Sequence, residues 1–267
     1  MKRLIVNADD FGFTSDVNQG IIEAHREGIL TATTLMATGA AFDDAVRLAK
    51  ENPTLDVGCH LVLVGSRPFP ATVAALVQAV ALKRIEVYGQ LAAQVRRIVD
   101  AGIAPTHLDT HKHTHLLPPV LDAVARISEE FGIRWVRRPF DFPLPGGGVG
   151  WKKRAVSRSF GVVRGRFEKV LSRRGCRSTD HFAGFQITGR YDGAALAALI
   201  RVLPEGSTEF MCHPGRCGDE LRAAPTRLKD SREEELRALR SPEVRVALQE
   251  AGVELASYRS LSLAYDI

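Results

Sequence analysis

Paired cysteine spacing is missing from this chain, and so is any long apolar run. Its 267 residues include four cysteines, Cys59, Cys176, Cys212 and Cys217, with neither the spacing of a zinc ribbon nor that of a disulfide-stapled secreted domain. Cys59 and Cys212 each precede a histidine inside an apolar stretch, so they read as reduced thiols on the packed side of a strand. No run of about 18 apolar residues occurs, which argues against a membrane-spanning helix. The opening MKRLIVNADD meets acidic residues too soon for the core of a secretion signal, about 7–15 apolar residues. It reads as a first strand, and the expected location is cytoplasmic. Nucleotide-binding glycine signatures are also lacking. No strand leads into G-x-G-x-x-G, no G-K-[ST] occurs, and Gly146–Gly150 is followed by Trp151-Lys-Lys where a phosphate-binding helix would start. That glycine stretch reads as a flexible loop.

A hydrophobic fraction of 45% and a charged fraction of 25% suit a globular chain. At this size it can bury a core without staples, so a metal here would serve chemistry more than folding. The net charge of +5 is local: ten basic residues lie between Lys152 and Arg177 against the single acid Glu168.

Short apolar or β-branched runs alternate with helical stripes. Strands are expected at 3–8, 31–38, 57–62, 106–110, 134–138, 182–187, 209–212 and 253–258. Between them, Val17/Ile21/Ala24, Phe42/Ala45/Val46/Ala49, Leu91/Val95/Ile98 and Val120/Val124/Ile127 mark helix faces, as do segments 196–203 and 231–251. Repeated βα units imply parallel strands with right-handed crossovers. Seven or eight of them predict an α/β fold, a TIM-like (β/α) barrel, closed or incomplete. The reading is one domain over 1–267, with a basic insertion at about 142–180.

In such a barrel the active site gathers at the C-terminal strand ends. Those ends carry Asp9 and Asp10, His60, then His107, Asp109, His111, His113 and His115, then Arg137, Arg138 and Asp141, and finally His213. Six of the eight histidines fall there, which scattered surface histidines would not do. Two carboxylates abutting a buried strand can divide labour. One binds a metal, and the other accepts a proton from a water whose pKa the metal lowers to about 7. In the run His107 to His115 all odd positions face one way while the chain stays extended, so at most two or three could reach one ion. Mixed N/O ligation suits zinc, or magnesium with waters completing its shell.

The segments Asn7-Ala-Asp-Asp-Phe-Gly12, Gly58-Cys-His-Leu61, Thr106-His-Leu-Asp-Thr-His-Lys-His-Thr-His115 and Met211-Cys-His-Pro214 together resemble the YdjC-like carbohydrate deacetylases. That family includes chitooligosaccharide deacetylases and deacetylases of hopanoid lipid biosynthesis. The resemblance implies a deacetylase-type barrel, an N-acetylated sugar substrate and one divalent metal, usually magnesium. By motif position it implies Asp10, His60 and His111 as ligands, Asp9 as general base and His213 as general acid. Arg138, His113, His115 and Asp109 would bind substrate or support the centre, with Arg138 orienting Asp9, contacting substrate or forming a structural ion pair. Relatives also suggest a homodimer.

Two further readings stand beside this one: a metal-dependent amidase or esterase acting on another acyl group, and a non-catalytic sugar-binding protein. The basic segment 152–177 reads as a solvated face, with contact to an anionic membrane as the functional alternative. Nucleic acid is not expected as a partner, because few aromatics interleave the cations and no recognition motif accompanies them.

Overall fold

Strand β1 (Lys2–Phe11) is buried over its last eight residues, as a central parallel strand covered on both faces must be. The chain continues through α1 (Ser15–Glu27), β2 (Ala32–Leu35), α2 (Phe42–Glu51) and β3 (Asp56–Leu61). Helices α3 (Val73–Ala81) and α4 (Val87–Asp100) lead to β4 (His107–Thr110) and a 3₁₀ segment (His111–Leu116). Next come α5 (Pro118–Phe131), β5 (Trp135–Val136), α6 (Trp151–Arg173), β6 (His181–Ala183), α7 (Gly193–Arg201) and β7 (Gly206–Cys212). Helices α8 (Asp219–Ala223), α9 (Asp230–Arg240) and α10 (Pro242–Glu250), strand β8 (Val253–Leu255) and α11 (Tyr258–Tyr265) complete the chain. This computed structural model describes residues 1–65, 68–143 and 151–265, with backbone alone at 151–154, 157–159 and 265.

The strands are parallel, in the order β5-β4-β3-β2-β1-β7-β6. Strand β8 pairs with Lys2–Leu4 of β1, on the edge that β2 occupies further along. Among the described residues the two ends of this order meet through isolated bridges, Trp135 with Arg177 and Asp141 with Phe182. The sheet is therefore an incomplete (β/α) barrel, as the alternating pattern predicts. Leu4, Ile5, Val6, Leu61 and Leu108 are fully buried, and burying each such side chain stabilises by about 1.5–3 kcal/mol. Cys59 and Cys212 are buried free thiols.

Several boundaries differ from the sequence pattern for local reasons. The extended run expected at 31–38 stops at Leu35, and 182–187 shortens to three residues before Gly184 turns at a φ of 126°. Segment 231–251 is two helices, broken where Pro242 removes a backbone donor. The last strand ends at Leu255, and α11 starts at Tyr258, where the pattern predicts strand. Helix α3 had no counterpart in the pattern. The basic insertion folds largely as α6, which buries Phe167 and Leu171 against the core. The glycine-rich loop at 146–150 lies outside the described residues. Among the described residues no helix is long and apolar enough to cross a membrane.

Candidate metal centre and active site

Asp9 and Asp10 close β1 at the barrel rim. The register of β1 with β2 shifts between Ala8 and Phe11, and Asp10 takes a φ of 71°. A regular strand would send adjacent side chains to opposite faces. The bulge instead lets both carboxylates line one cavity. Asn18 of α1 pins the bulge by accepting the Gly12 N–H at 2.6 Å.

Asp10 Oδ1 lies 3.4 Å from His60 Nε2 and 3.3 Å from His111 Nδ1, and the two ring nitrogens are 3.2 Å apart. Metal–ligand bonds of about 2.1 Å place neighbouring ligand atoms about 3.0 Å apart in an octahedron and about 3.4 Å apart in a tetrahedron. The triangle therefore fits a small divalent cation. Asp10 Oδ1 is also buried without a hydrogen-bond partner, a costly state that a cation would relieve. His111 keeps about a quarter of its side chain exposed, which leaves the centre open on the cavity side.

His60 is aimed from behind. Its Nδ1 lies 2.7 Å from Asp109 Oδ1 and 3.2 Å from Thr34 Oγ1, so Nδ1–H faces the carboxylate and Nε2 faces the triangle, where a cation would replace its proton, as with metal-binding imidazoles held by a carboxylate. Burial alone would lower the His60 pKa, but the Asp109 and Asp10 carboxylates outweigh it and raise it to about 10. The field at Nε2 thus strongly favours a positive charge. Asp9, His60 and Asp109 form a second grouping within ligand range, but its carboxylates are already committed to Arg137.

Arg137 is fully buried. It donates from Nη2 to Asp9 Oδ1 at 2.6 Å, from Nη1 to Asp9 Oδ2 at 2.8 Å and from Nε to Glu209 Oε1 at 2.7 Å. Its Nη1 also lies 2.5 Å from Asp109 Oδ2. Burial would raise the Asp9 pKa, yet Arg137, with smaller contributions from His60 and His213, holds it far below the usual carboxylate range. Asn7 Nδ2 adds a contact to Asp9 Oδ1 at 3.3 Å, and His107 Nε2–H fixes Asn7 through its Oδ1 at 2.9 Å. Gly58 makes room for that imidazole, since a Cβ there would stand 2.6 Å from the ring. Among the described residues, Asp9, Asp10, Asp109 and Glu209 meet two buried guanidiniums, Arg137 and Arg232, and the His60 ring, so acids outnumber cations around a position a dication would suit.

His213, just past β7, donates its backbone N–H to Glu235 Oε2 at 2.5 Å. Its Nε2 lies 3.8 Å from Asp9 Oδ2. Burial lowers its pKa, outweighing the pull of Asp9 and Glu235, so the ring rests neutral near pH 7. The remaining histidines of the 107–115 run separate. The chain is extended only to Thr110, after which Lys112 and His113 take φ of 54° and 52°. His115 then turns into the interior, its Nε2 on Arg137 O at 3.0 Å and its Nδ1 on Thr110 Oγ1 at 2.5 Å. Burial pushes its pKa down to about 3, which fits a neutral structural imidazole. His113 is buried against Phe182 and Phe185 and lines the cavity.

Arg138 is not beside Asp9. It pairs with Glu168 of α6 at 2.9 Å and reaches Asp180 O, because successive residues of an extended segment face opposite ways and Arg137 takes the inward phase. The helical pattern over 231–251 gives no sign that two residues of α9 reach the site. Its Arg232 donates to Asp10 Oδ2 at 2.5 Å, and its Glu235 accepts from His213 N, Gly189 N and Tyr191 Oη. The i, i+3 spacing of these two residues puts them on one helix face, but charges crowd this segment and hide the signal. The cavity above the site encloses about 520 Å³. Phe13, Met36, Val62, Val64, Phe185, Met211 and Leu228 supply its apolar walls.

Fold and site together define a (β/α)-barrel protein whose rim offers a carboxylate–imidazole centre beside a second, arginine-held carboxylate. The chain belongs to the YdjC-like protein family, whose model matches residues 3–250. It is 32% identical over 274 residues to a carbohydrate deacetylase of Brevibacillus brevis, covering 97% of this chain and 99% of that one. A carbohydrate deacetylase of Geobacillus stearothermophilus is 34% identical over 270 residues, 96% of each chain. Among solved structures, a protein of Enterococcus faecalis superposes with a TM-score of 0.74 at 26% identity, covering 97% of this chain and 98% of that one.

Proposed function

We propose that the protein hydrolyses the N-acetyl group of an N-acetylated amino sugar, either a chitooligosaccharide or a lipid-linked N-acetylglucosamine. Two curated relatives that match over nearly their full length are carbohydrate deacetylases. The observation that carries the reading is the 3.2–3.4 Å triangle of Asp10, His60 and His111 beside Asp9 at the base of the cavity. Those three residues would hold one divalent cation, magnesium by family resemblance or zinc by donor type, which as a Lewis acid polarises a carbonyl and makes water nucleophilic near neutral pH.

The chain's own groups then have distinct tasks. Asp9 accepts the proton of the attacking water. Arg137 fixes the direction of its oxygens and keeps it ionised, so Asp9 is always ready but weakly basic. The proton therefore passes on, and His213 Nε2, 3.8 Å away, is the next acceptor. Because the ring rests neutral, the proton it gives to the leaving amine is the one received by way of Asp9. His113, Phe13 and Phe185 line the cavity and would contact the sugar there, while Asp109 and His115 hold the centre in place. Acetate release from N-acetylglucosamine oligomers and from a lipid-linked form, with and without chelator, tests this reading. Chelator-sensitive release is expected. None from either, with metal bound, would move the reaction to another acyl substrate.

For partners we propose a homodimer and, through α6, peripheral contact with anionic membrane. Val162 is 88% exposed on that basic helix, which suits an apolar contact between cations. Sedimentation should show a dimer, and anionic vesicles should retain the protein at low salt where neutral ones do not. A cytoplasmic location is proposed, with fractionation as its check.

A further inference from the structure

Arg232 is 1% exposed and sits on α9, outside every motif that points to the site. It donates from Nη2 to Asp10 Oδ2, and its Nε reaches Leu228 O at 3.3 Å, while Nη1 is buried without a partner. Its stem packs on Gly215, where a Cβ would stand 3.2 Å from Arg232 Cδ. The guanidinium is thus locked, and only one oxygen of Asp10, the orphan Oδ1, faces His60 and His111.

We propose that Arg232 is a positioning residue that confines Asp10 to one-oxygen ligation and so biases the centre against large cations. The inference rests on the metal reading given above. A carboxylate that can chelate through both oxygens suits calcium, which takes six to eight ligands at about 2.3–2.6 Å. A carboxylate held to one oxygen suits a small ion with bonds of about 2.0–2.1 Å. With Oδ2 occupied by Nη2, chelation would require breaking a buried charge-assisted hydrogen bond.

Competition of calcium against cobalt(II), read by the visible absorption of the bound cobalt, tests this in the full-length protein. Arg232→Met keeps an apolar stem and releases Oδ2, and the preference ratio should move about tenfold toward calcium, the lower end for changes to groups that orient metal ligands. Arg232→Lys still offers an N–H to Oδ2 and should keep the native ratio. A merely structural role would weaken both ions alike, and an unchanged ratio in Arg232→Met would overturn the proposal. If that variant does not fold, metal-difference infrared spectra of the native protein decide. A wide splitting of the Asp10 carboxylate stretches, assigned with Asp10→Asn, supports one-oxygen ligation, and a narrow one overturns it. No cobalt binding by the native protein would overturn the metal reading itself, and this inference with it.

Discussion

Asp9 and Asp10 are adjacent residues of the same type, buried to the same degree at the end of one strand, yet their surroundings treat them differently. Arg137 holds Asp9 through both oxygens, whereas Arg232 holds Asp10 through one and leaves the other facing two imidazoles. Residue type does not separate the proton acceptor from the ligand in the proposed function. There the separation comes from how many oxygens a guanidinium occupies and from which side the histidines approach. The largest test of this contrast is Arg137→Met, which would strip Asp9, Asp109 and Glu209 of the guanidinium they share. Breaking a buried pair costs about 3–5 kcal/mol, so the urea midpoint should collapse, with Arg137→Lys in between because an ammonium cannot fork. A midpoint close to native would show that Arg137 is dispensable.

The next test separates the two carboxylates directly. Asp9→Asn should keep the bound cation and lower turnover at least ~100-fold, the lower end for acid–base catalysis. Asp10→Asn should lose the cation, as metal analysis would show. If Asp9→Asn also releases metal, both carboxylates serve the centre and the contrast fails. Glu235→Gln probes the opposite side of the site. One amide oxygen would replace two carboxylate oxygens that accept from His213, Gly189 and Tyr191. Leaving one of those donors unmatched should cost about 2 kcal/mol of stability, read by denaturation, with metal affinity unchanged. Loss of metal in this variant would mean that α9 supports the centre as a whole rather than through Arg232.

Much of the barrel is legible because parallel strands buried on both faces appear as apolar runs, and the polar residues that interrupt them mark the rim. Asp10, His60 and His111 converge in the structure, but spacing alone could not have chosen His111 over His113 or His115. Left-handed backbone at Lys112 and His113 breaks the alternation that such a choice would need. Arg137 and Arg138 illustrate a phase problem: with a ladder only two residues long, nothing in the sequence fixes which of two neighbours points inward. The docking of α6 escapes the reading of this segment as a solvated basic face, although Phe160, Val163, Phe167 and Leu171 repeat at helical spacing among the basic residues. Arg232 and Glu235 had no such marker, because their significance depends on what lies across a helix interface.

The smallest expected effect concerns the seam of the barrel. Asp141 lies at the bridge to Phe182 and accepts from Phe185 N at 3.2 Å and Gln186 N at 3.0 Å, so it shapes the turn that carries Phe185 into the cavity. Burial raises its pKa to about 7 against the opposing backbone hydrogen bonds. A carboxyl whose pKa is higher folded than unfolded keeps its proton in the native state over a range where the unfolded chain has lost it. Stability then falls as pH rises from the unfolded value of about 4 toward 7, and the full penalty applies above that range. Between pH 5 and 8 the native protein should therefore lose on the order of 2–3 kcal/mol that Asp141→Asn, which does not titrate, would not lose. The Asn variant gives up one acceptor at every pH, so the absolute offset is uninformative and the slope carries the test. Melting profiles of the two proteins that stay parallel across this range would show that Asp141 is ionised throughout. In that case the seam, unlike the Asp9–Asp10 rim, would hold its charge through backbone amides and the Gln186 side chain, with no guanidinium.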